Sequence, residues 1–284
     1  MRVAVLNIGD MGATVAACLQ GAGHETAWLS PGRGEATRRR AAELGLIELT
    51  SLADVVRCDA IASVCPPHAA LAVAQTVFVA GFTGLYVDAN AVSPMTMAAI
   101  AKLAGPARLV DGGIIGGATR QPGRTHLHVS GPHAAEAMAL FQGGFLVTHR
   151  VDDRIGSASA LKMTYAAWSK GTSALLAAIR AVAEANGVQP ALLAQWAATN
   201  PELVARSDAV GATAARAWRW KGEMDEIAAT FEAAGLPGGF HQAAGAVFEQ
   251  LAGFKDAPGT VSAADLTDAL LGCEPTSRSA APAA

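Results

Sequence analysis

Residues Ser157 to Gly187 place Ala158, Leu161, Tyr165, Trp168, Thr172, Leu175, Ile179 and Val182 at alternating steps of three and four. That spacing lays one apolar stripe along one face of an α-helix. The segment has no internal proline, its one interior glycine is Gly171, and Asn186-Gly187 supplies the left-handed residue that ends helices. At 1.5 Å per residue a helix over 157–186 runs about 45 Å, more than one compact layer spans. Such a helix predicts two domains with a spine between them. Lys162 sits on the flank of the stripe, one turn in, where an interdomain cleft is expected. A desolvated lysine can exchange a proton near neutral pH.

The chain before this helix alternates strand and helix. Arg2–Ile8 is a short apolar run, 9–12 a glycine turn, and Ala13–Ala22 a helix. Further strands are expected at 25–30, 59–64, 85–89 and 108–111, with a polar Arg-rich helix at 35–44. This alternation predicts a doubly wound, mainly parallel α/β sheet of the Rossmann type. Thr125–Ser130 alternates apolar and polar residues like an antiparallel edge strand, and the α/β character ends near 147–153. Beyond Gly187 the pattern is helical throughout, with segments at 191–198, 223–234 and 239–251, and a capping box at Ser262–Asp265. The expected organisation is a dinucleotide-binding domain over 1–152, an all-α substrate and dimerisation domain over 153–273, and a Ser/Pro/Ala-rich disordered tail over 274–284.

Composition narrows the partners. A net charge of −3 and a pI near 6.2 give no basic surface for nucleic acid. Cys18, Cys58, Cys65 and Cys273 show no CxxC spacing, which points to reduced thiols in a cytoplasm. Ile61 to Val87 lacks Asp, Glu, Lys and Arg, yet Pro66-Pro67 and Gly81 divide it into segments far short of the ~20 residues a membrane helix needs. No His/Asp/Glu cluster has metal-ligand spacing, so no metal is expected.

Asn7, Gly9, Asp10, Met11 and Gly12 form a variant dinucleotide fingerprint between strand and helix. Its glycines admit a pyrophosphate to the helix N-terminus, and Asn7, standing at the first glycine position, tolerates positive φ. The second strand ends without the acid that would bind a ribose 2′-hydroxyl. Ser30, Arg33 and Arg38 follow instead, and a hydroxyl with guanidinium groups suits a 2′-phosphate, so NADP(H) is favoured over NAD(H). Cys65-Pro66-Pro67 and Asn90 close two further strands, at the carboxyl ends where α/β sheets collect ligands, and should meet the nicotinamide half. His68 in the first of these loops is given no catalytic part. The glycine run Asp111 to Gly117 lets backbone N–H groups approach an anion such as a substrate carboxylate.

The order of fingerprint, Pro-Pro loop, Asp88-x-Asn90-x-x-Ser93-Pro94 loop, Asp111-to-Gly117 loop and helix lysine resembles the β-hydroxyacid dehydrogenase superfamily, across residues 1–255. That superfamily includes 3-hydroxyisobutyrate and 6-phosphogluconate dehydrogenases. Lys162-Met163-Thr164-Tyr165, Ser169-Lys170-Gly171 and 219–227 are similar to a bacterial branch with a poorly characterised, phosphogluconate dehydrogenase-like C-terminal domain. The resemblance implies that Lys162 is the general acid/base serving a carbonyl/alcohol pair while NADPH supplies hydride. It also implies a homodimer whose helical domains complete each other's clefts.

Departures from the family are informative. Ile115 stands where its members bind substrate carboxylate through serine, beside Gly116 and Gly117. Ala166 replaces an asparagine one turn past the lysine, and Gly222-Glu223 replaces a late Lys-Asp pair. A more apolar or bulkier substrate follows, with Trp168, Trp218 and Trp220 as candidate walls and Lys170 and Glu223 as secondary site residues. Two alternatives stand beside the dehydrogenase: an imine reductase-like enzyme, whose relatives usually lack the lysine, and a non-catalytic NADPH-binding sensor.

Overall fold

The computed structural model describes residues 1–255, 257 and 261–272. Cys273 and the tail 274–284, expected to be disordered, lie outside the described residues. The chain divides into two compact units, Met1–Tyr165 with Ala229–Leu236, and Ala166–Ala228 with Pro237–Ala284.

The first unit runs β1 (Arg2–Leu6), α1 (Asp10–Gly21), β2 (Glu25–Leu29), α2 (Glu35–Glu43), β3 (Ile47–Leu49), α3 (Leu52–Val55), β4 (Ala60–Ser63), α4 (Ala70–Val79), β5 (Leu85–Asp88), α5 (Pro94–Leu103), β6 (Arg108–Gly116), β7 (Thr125–Ser130), α6 (Ala134–Phe141) and β8 (Val147–Arg150). One sheet takes the order β3-β2-β1-β4-β5-β6-β7-β8. The pairs from β3 to β6 are parallel, β7 is antiparallel to β6, and β8 is parallel to β7. The order reverses between β1 and β4, the switch point at which doubly wound sheets open a ligand crevice. Both faces are dry. Val5, Leu19, Val87, Val110 and Leu127 fill one core, and Leu6, Ile61, Tyr86, Met97 and Leu109 fill another. That explains why the parallel strands read as unbroken apolar runs.

Two expectations need correction. Thr125–Ser130 is antiparallel but not an edge, because Val147–Arg150 forms a further strand outside it. The strand expected over 108–111 continues to Gly116, because antiparallel pairing with β7 supplies hydrogen bonds through the glycines.

Helix α7 spans Ser157–Ala185 as the stepped pattern predicts. Its first turns count with the sheet unit, and the rest with the helical one. The side chains it buries are mostly small: Ala158, Ala166, Ala174, Ala177 and Ala181. Leu161, Tyr165, Trp168, Leu175 and Val182, the large members of the stripe, stay 37–62% exposed in the single chain.

The second unit adds α8 (Gln189–Thr199), α9 (Pro201–Ala209), α10 (Ala214–Ala217), α11 (Trp220–Ala233, its last residues counted with the first unit), α12 (Gly239–Gln250) and α13 (Ala263–Leu270). Ser262 and Asp265 form the reciprocal capping box that opens α13. Buried Arg180 ties α7 to α9 through Ser207 Oγ and Asp208 Oδ1, each at 2.8 Å.

Candidate active site

The end of β1 is built for close approach. Asn7 turns at φ 74°, the one non-glycine residue in the left-handed region among the described residues. A Cβ on Gly12 would lie 1.9 Å from the Asn7 carbonyl oxygen, so only glycine lets α1 start this near β1. Gly9 caps α1 without a side-chain hydrogen bond, and a Cβ on Gly9 would meet nothing within 4 Å. The N–H groups at the positive end of a 12-residue helix suit a pyrophosphate. Asp10 lies in this first turn, where Arg40 holds it at 2.9 Å and offsets its charge. Met11 packs half-buried against the core.

Arg33 and Arg38 meet beyond the end of β2. Arg33 donates to Asn7 Oδ1, and its Nε is buried without a hydrogen-bond partner. Arg38 donates to the Ser30 carbonyl at 3.1 Å and the Arg33 carbonyl at 3.2 Å, with Glu48 at 3.6 Å. The orphaned Arg33 Nε fits an anionic oxygen, because a buried guanidinium N–H without an acceptor is costly. Ser30 is placed differently from its expected use: it is buried, and its hydroxyl donates to the Leu49 carbonyl at 3.4 Å. The two guanidinium groups therefore gather at this strand end while the serine hydroxyl turns into the sheet.

The next loops lie past one register row. Leu6 pairs with Ser63, Ser63 with Asp88, and Asp88 with Asp111. Everything after that row is at the carboxyl end of the parallel sheet. From β1 to β6 is three strand spacings, about 14 Å. Asn90 links two loops here: its Oδ1 accepts from Cys65 N at 2.5 Å and its Nδ2 donates to Ser63 Oγ at 3.1 Å. Pro66 and Pro67 open the short turn that follows. Burial pushes the Cys65 thiol up to about 12, so it is a neutral packing group. Fully buried Asp88 is raised to about 7, first by burial and then by the neighbouring Asp111 carboxylate, against hydrogen bonds from Asn90.

Asp111 locks α7 onto the sheet. Its Oδ2 accepts from Gly156 N at 2.8 Å, Ser159 N at 3.1 Å and Ser130 Oγ at 2.9 Å, while its Oδ1 accepts from Ser159 Oγ at 2.6 Å. Ser130 Oγ in turn accepts from Ala158 N at 2.9 Å. The carboxylate thus acts as an N-cap delivered from a strand 45 residues away, satisfying the helix's first donors. Lys162 lies one turn further along. A Cβ on Gly113 would stand 2.8 Å from the Ala158 carbonyl and 2.9 Å from Lys162 Cβ, so the lysine stem rests directly on the bare backbone of β6. Sequence alone assigned the run Asp111 to Gly117 to the approach of an anion, not Asp111 to capping α7 or Gly113 to seating Lys162. The local signal was an acid and a glycine ending a strand; the partner helix was invisible.

Ile115 faces His126 across the β6–β7 pair. Gly116, at φ 122°, allows the Arg124 carbonyl within 2.5 Å of where its Cβ would be, and Thr125 Oγ1 pins the Gly117 carbonyl at 2.6 Å. In the helical unit, Ala166 is buried, and Lys170 and Glu223 form a buried ion pair with Trp220 stacked 5.7 Å from the ammonium. Trp168 is exposed and carries Arg206, and Trp218 carries Lys255 at 4.4 Å, so these two rings serve surface cations.

Comparison with known proteins agrees with this architecture. Residues 183–251 match a domain of unknown function, DUF1932. An uncharacterized 28.5 kDa protein of Methanothermus fervidus is 29% identical over 194 residues, 68% of this chain and 75% of that protein. A solved conserved protein of unknown function, described as structurally similar to 3-hydroxyacid dehydrogenases, is 27% identical with a TM-score of 0.68, covering 89% of this chain and 98% of its own. Mycobacterium tuberculosis 3-hydroxyisobutyrate dehydrogenase, solved with L-serine, shares the fold at a TM-score of 0.69 and 17% identity, covering 95% and 98%. A Myxococcus stipitatus imine reductase solved with NADP+ shares it at 0.54 and 20% identity, covering 95% and 100%. The chain is thus similar in fold to 3-hydroxyacid dehydrogenases and to imine reductases, and residues 183–251 of its helical half match DUF1932.

Proposed function

We propose that this protein interconverts a carbonyl and an alcohol with NADP(H), using Lys162 as general acid/base. The observation that carries the proposal is the seating of Lys162 on Gly113, past the row at which every parallel strand delivers its loop. Asn7, Gly9 and Gly12 would hold the pyrophosphate, Arg33 and Arg38 the 2′-phosphate, and the Cys65–Pro67 and Asn90 loops the nicotinamide end. When bound, the nicotinamide supplies or accepts the hydride. The chain's own task is the proton: reduction leaves an alkoxide that must be protonated at once, and a lysine on α7 whose stem rests against β6 can do so. In the reverse direction the neutral amine takes the hydroxyl proton.

NADP(H) over NAD(H) is supported by two guanidinium groups at the end of β2, one with a buried N–H lacking an acceptor. A homodimer is supported by the exposed stripe of α7, since five large apolar side chains in register along one helix need a covering surface. We infer that a second copy supplies it.

The test is NADPH oxidation and NADP+ reduction across aldehydes, ketones, 3-hydroxy acids, aryl alcohols and imines. Turnover of one carbonyl or alcohol class, with NADPH preferred to NADH, supports the proposal. Turnover of imines alone favours reductive chemistry at carbon–nitrogen bonds. Tight NADPH binding without turnover of any compound favours a sensor.

A further inference from the structure

Three histidines outside the cofactor crevice are gathered on one face of the sheet. His126 and His128, two apart on β7, point the same way, and His149 on β8 is in register with His128. The rings of His128 and His149 stack at 4.8 Å and 18°, those of His126 and His149 at 5.2 Å and 26°. His126 Nδ1 and His149 Nε2 are 3.0 Å apart, a hydrogen bond in which one ring donates and the other accepts. All three are half-buried. The nitrogens of stacked rings point outward in near-parallel planes rather than converging on one point, and among the described residues no group of side chains is arranged to hold a metal.

The stack adjoins the candidate active site. His128 is the cross-strand partner of Gly113, on which Lys162 rests, and His126 is the partner of Ile115. Partners directly opposite in an antiparallel pair share a face. Along that face the pairs run from Gly113 with His128 to Ile115 with His126, a step of about 7 Å. Next comes a polar cavity of about 430 Å³ lined by Gly117, Thr119, Gln121, Gly123, Arg124 and His126. His126 therefore belongs to both the stack and the cavity wall. Among the described residues no carboxylate pairs with Arg124 or with any of the three imidazoles. Burial, followed by the two neighbouring rings, holds His128 below the usual histidine range, so that ring resists charging.

We propose that Arg124 and His126, backed by His149 and His128, form a subsite for an acid group of the substrate, a carboxylate or a phosphate. This rests on the carbonyl/alcohol reading above and deepens it. Ile115 is apolar, so at this cross-strand pair the His126 imidazole is the polar group, and it lines the cavity with Arg124. The substrate is then an acid whose anionic end lies several bonds from the reacting carbon. Ile115 and Ala166 alone had suggested a more apolar compound. The hydrogen bond between His149 and His126 orients the His126 ring, and one proton added to that pair gives an imidazolium facing the anion.

Protein labelled with ¹³C at histidine Cε1 provides the test, because the chain has seven histidines and His→Gln variants assign the three signals. Succinate and inorganic phosphate are titrated separately into the full-length protein. Saturable shifts confined to His126, His128 and His149, with affinity weakened about tenfold or more in Arg124→Ala, are expected. The tighter of the two anions names the acid group. No saturable shift with either anion, equal shifts at all seven histidines, or undiminished affinity in Arg124→Ala overturns the proposal. The readout needs no turnover, so failure of the lysine mechanism and failure of this subsite remain distinguishable.

Discussion

Gly113→Ala isolates the placement of Lys162 from its chemistry. The new methyl group would sit 2.8 Å from the Ala158 carbonyl and 2.9 Å from Lys162 Cβ. Relaxed contacts need about 3.5 Å or more, so α7 and β6 must part by roughly 0.6–0.8 Å. The strand cannot retreat easily. It is hydrogen-bonded on both sides, and on its other face a Cβ at Gly112 would already be 2.9 Å from the Asp88 carbonyl. Nor can the helix rise freely, because Asp111 holds Gly156 N and Ser159 N at 2.8 and 3.1 Å. Overpacking of this kind costs about 1–3 kcal/mol. Displacing a catalytic group by about 1 Å costs up to 10²-fold in rate. Expected, then, is a kcat about 30–100-fold lower and a melting temperature lower by several degrees, with NADPH affinity nearly unchanged because the fingerprint turn is three strands away. Steady-state NADPH absorbance, fluorescence titration of NADPH and thermal unfolding measure the three quantities. A stably folded Gly113→Ala enzyme with wild-type kcat would refute the claim that β6 positions the lysine.

Replacing both Arg33 and Arg38 by alanine should cut the preference for NADPH over NADH by about two orders of magnitude in kcat/KM, leaving NADH kinetics nearly intact; an unchanged ratio would remove those guanidinium groups from the 2′-phosphate site. Glu223→Ala strands the Lys170 ammonium and should cost about 3–5 kcal/mol in urea unfolding, whereas a Lys170→Met/Glu223→Met double variant should recover most of it. If the single and double variants are equally destabilised, the ion pair is not the reason for the loss. Asp88 predicts a pH effect. Its folded value, raised from 3.8 to about 7, means the folded state holds a proton that the unfolded state has released. Stability should fall as pH rises from about 4 to about 7 and then level, by something of order 4 kcal/mol. Asp88→Asn should flatten that slope between pH 5 and 8, and parallel curves for the two proteins would contradict the assignment.

Much of this site was legible in the sequence because its signals are local. The turn at Asn7 needed one short polar residue able to take positive φ, and Asn7 takes it. The long helix was written in a repeated three-and-four step, and the α13 cap in Ser262 and Asp265. What escaped depends on partners far away in sequence. Strands β3 and β8 are three and four residues long and carry polar residues, so no apolar run marks them. The glycines of β6 depress strand propensity, and only pairing with β7 extends it. The Asp111 clamp spans 45 and 48 residues, and the Lys170–Glu223 pair 53. The stripe of α7 was correctly periodic, but periodicity cannot say what covers a face. Here alanines meet the chain's own core and the large side chains remain outside. The histidine stack left half a signal in His126-x-His128; its third member depends on the β7–β8 register.

The most direct measurement is single-turnover reduction of the preferred carbonyl substrate by the NADPH-loaded enzyme, wild type against Lys162→Ala, with NADPH affinity measured on both. Loss of the proton donor should slow the chemical step by about 10²–10⁴-fold while NADPH binds as before. A Lys162→Ala enzyme that binds NADPH and reduces the carbonyl at the wild-type rate would contradict the assignment of Lys162 as the acid/base.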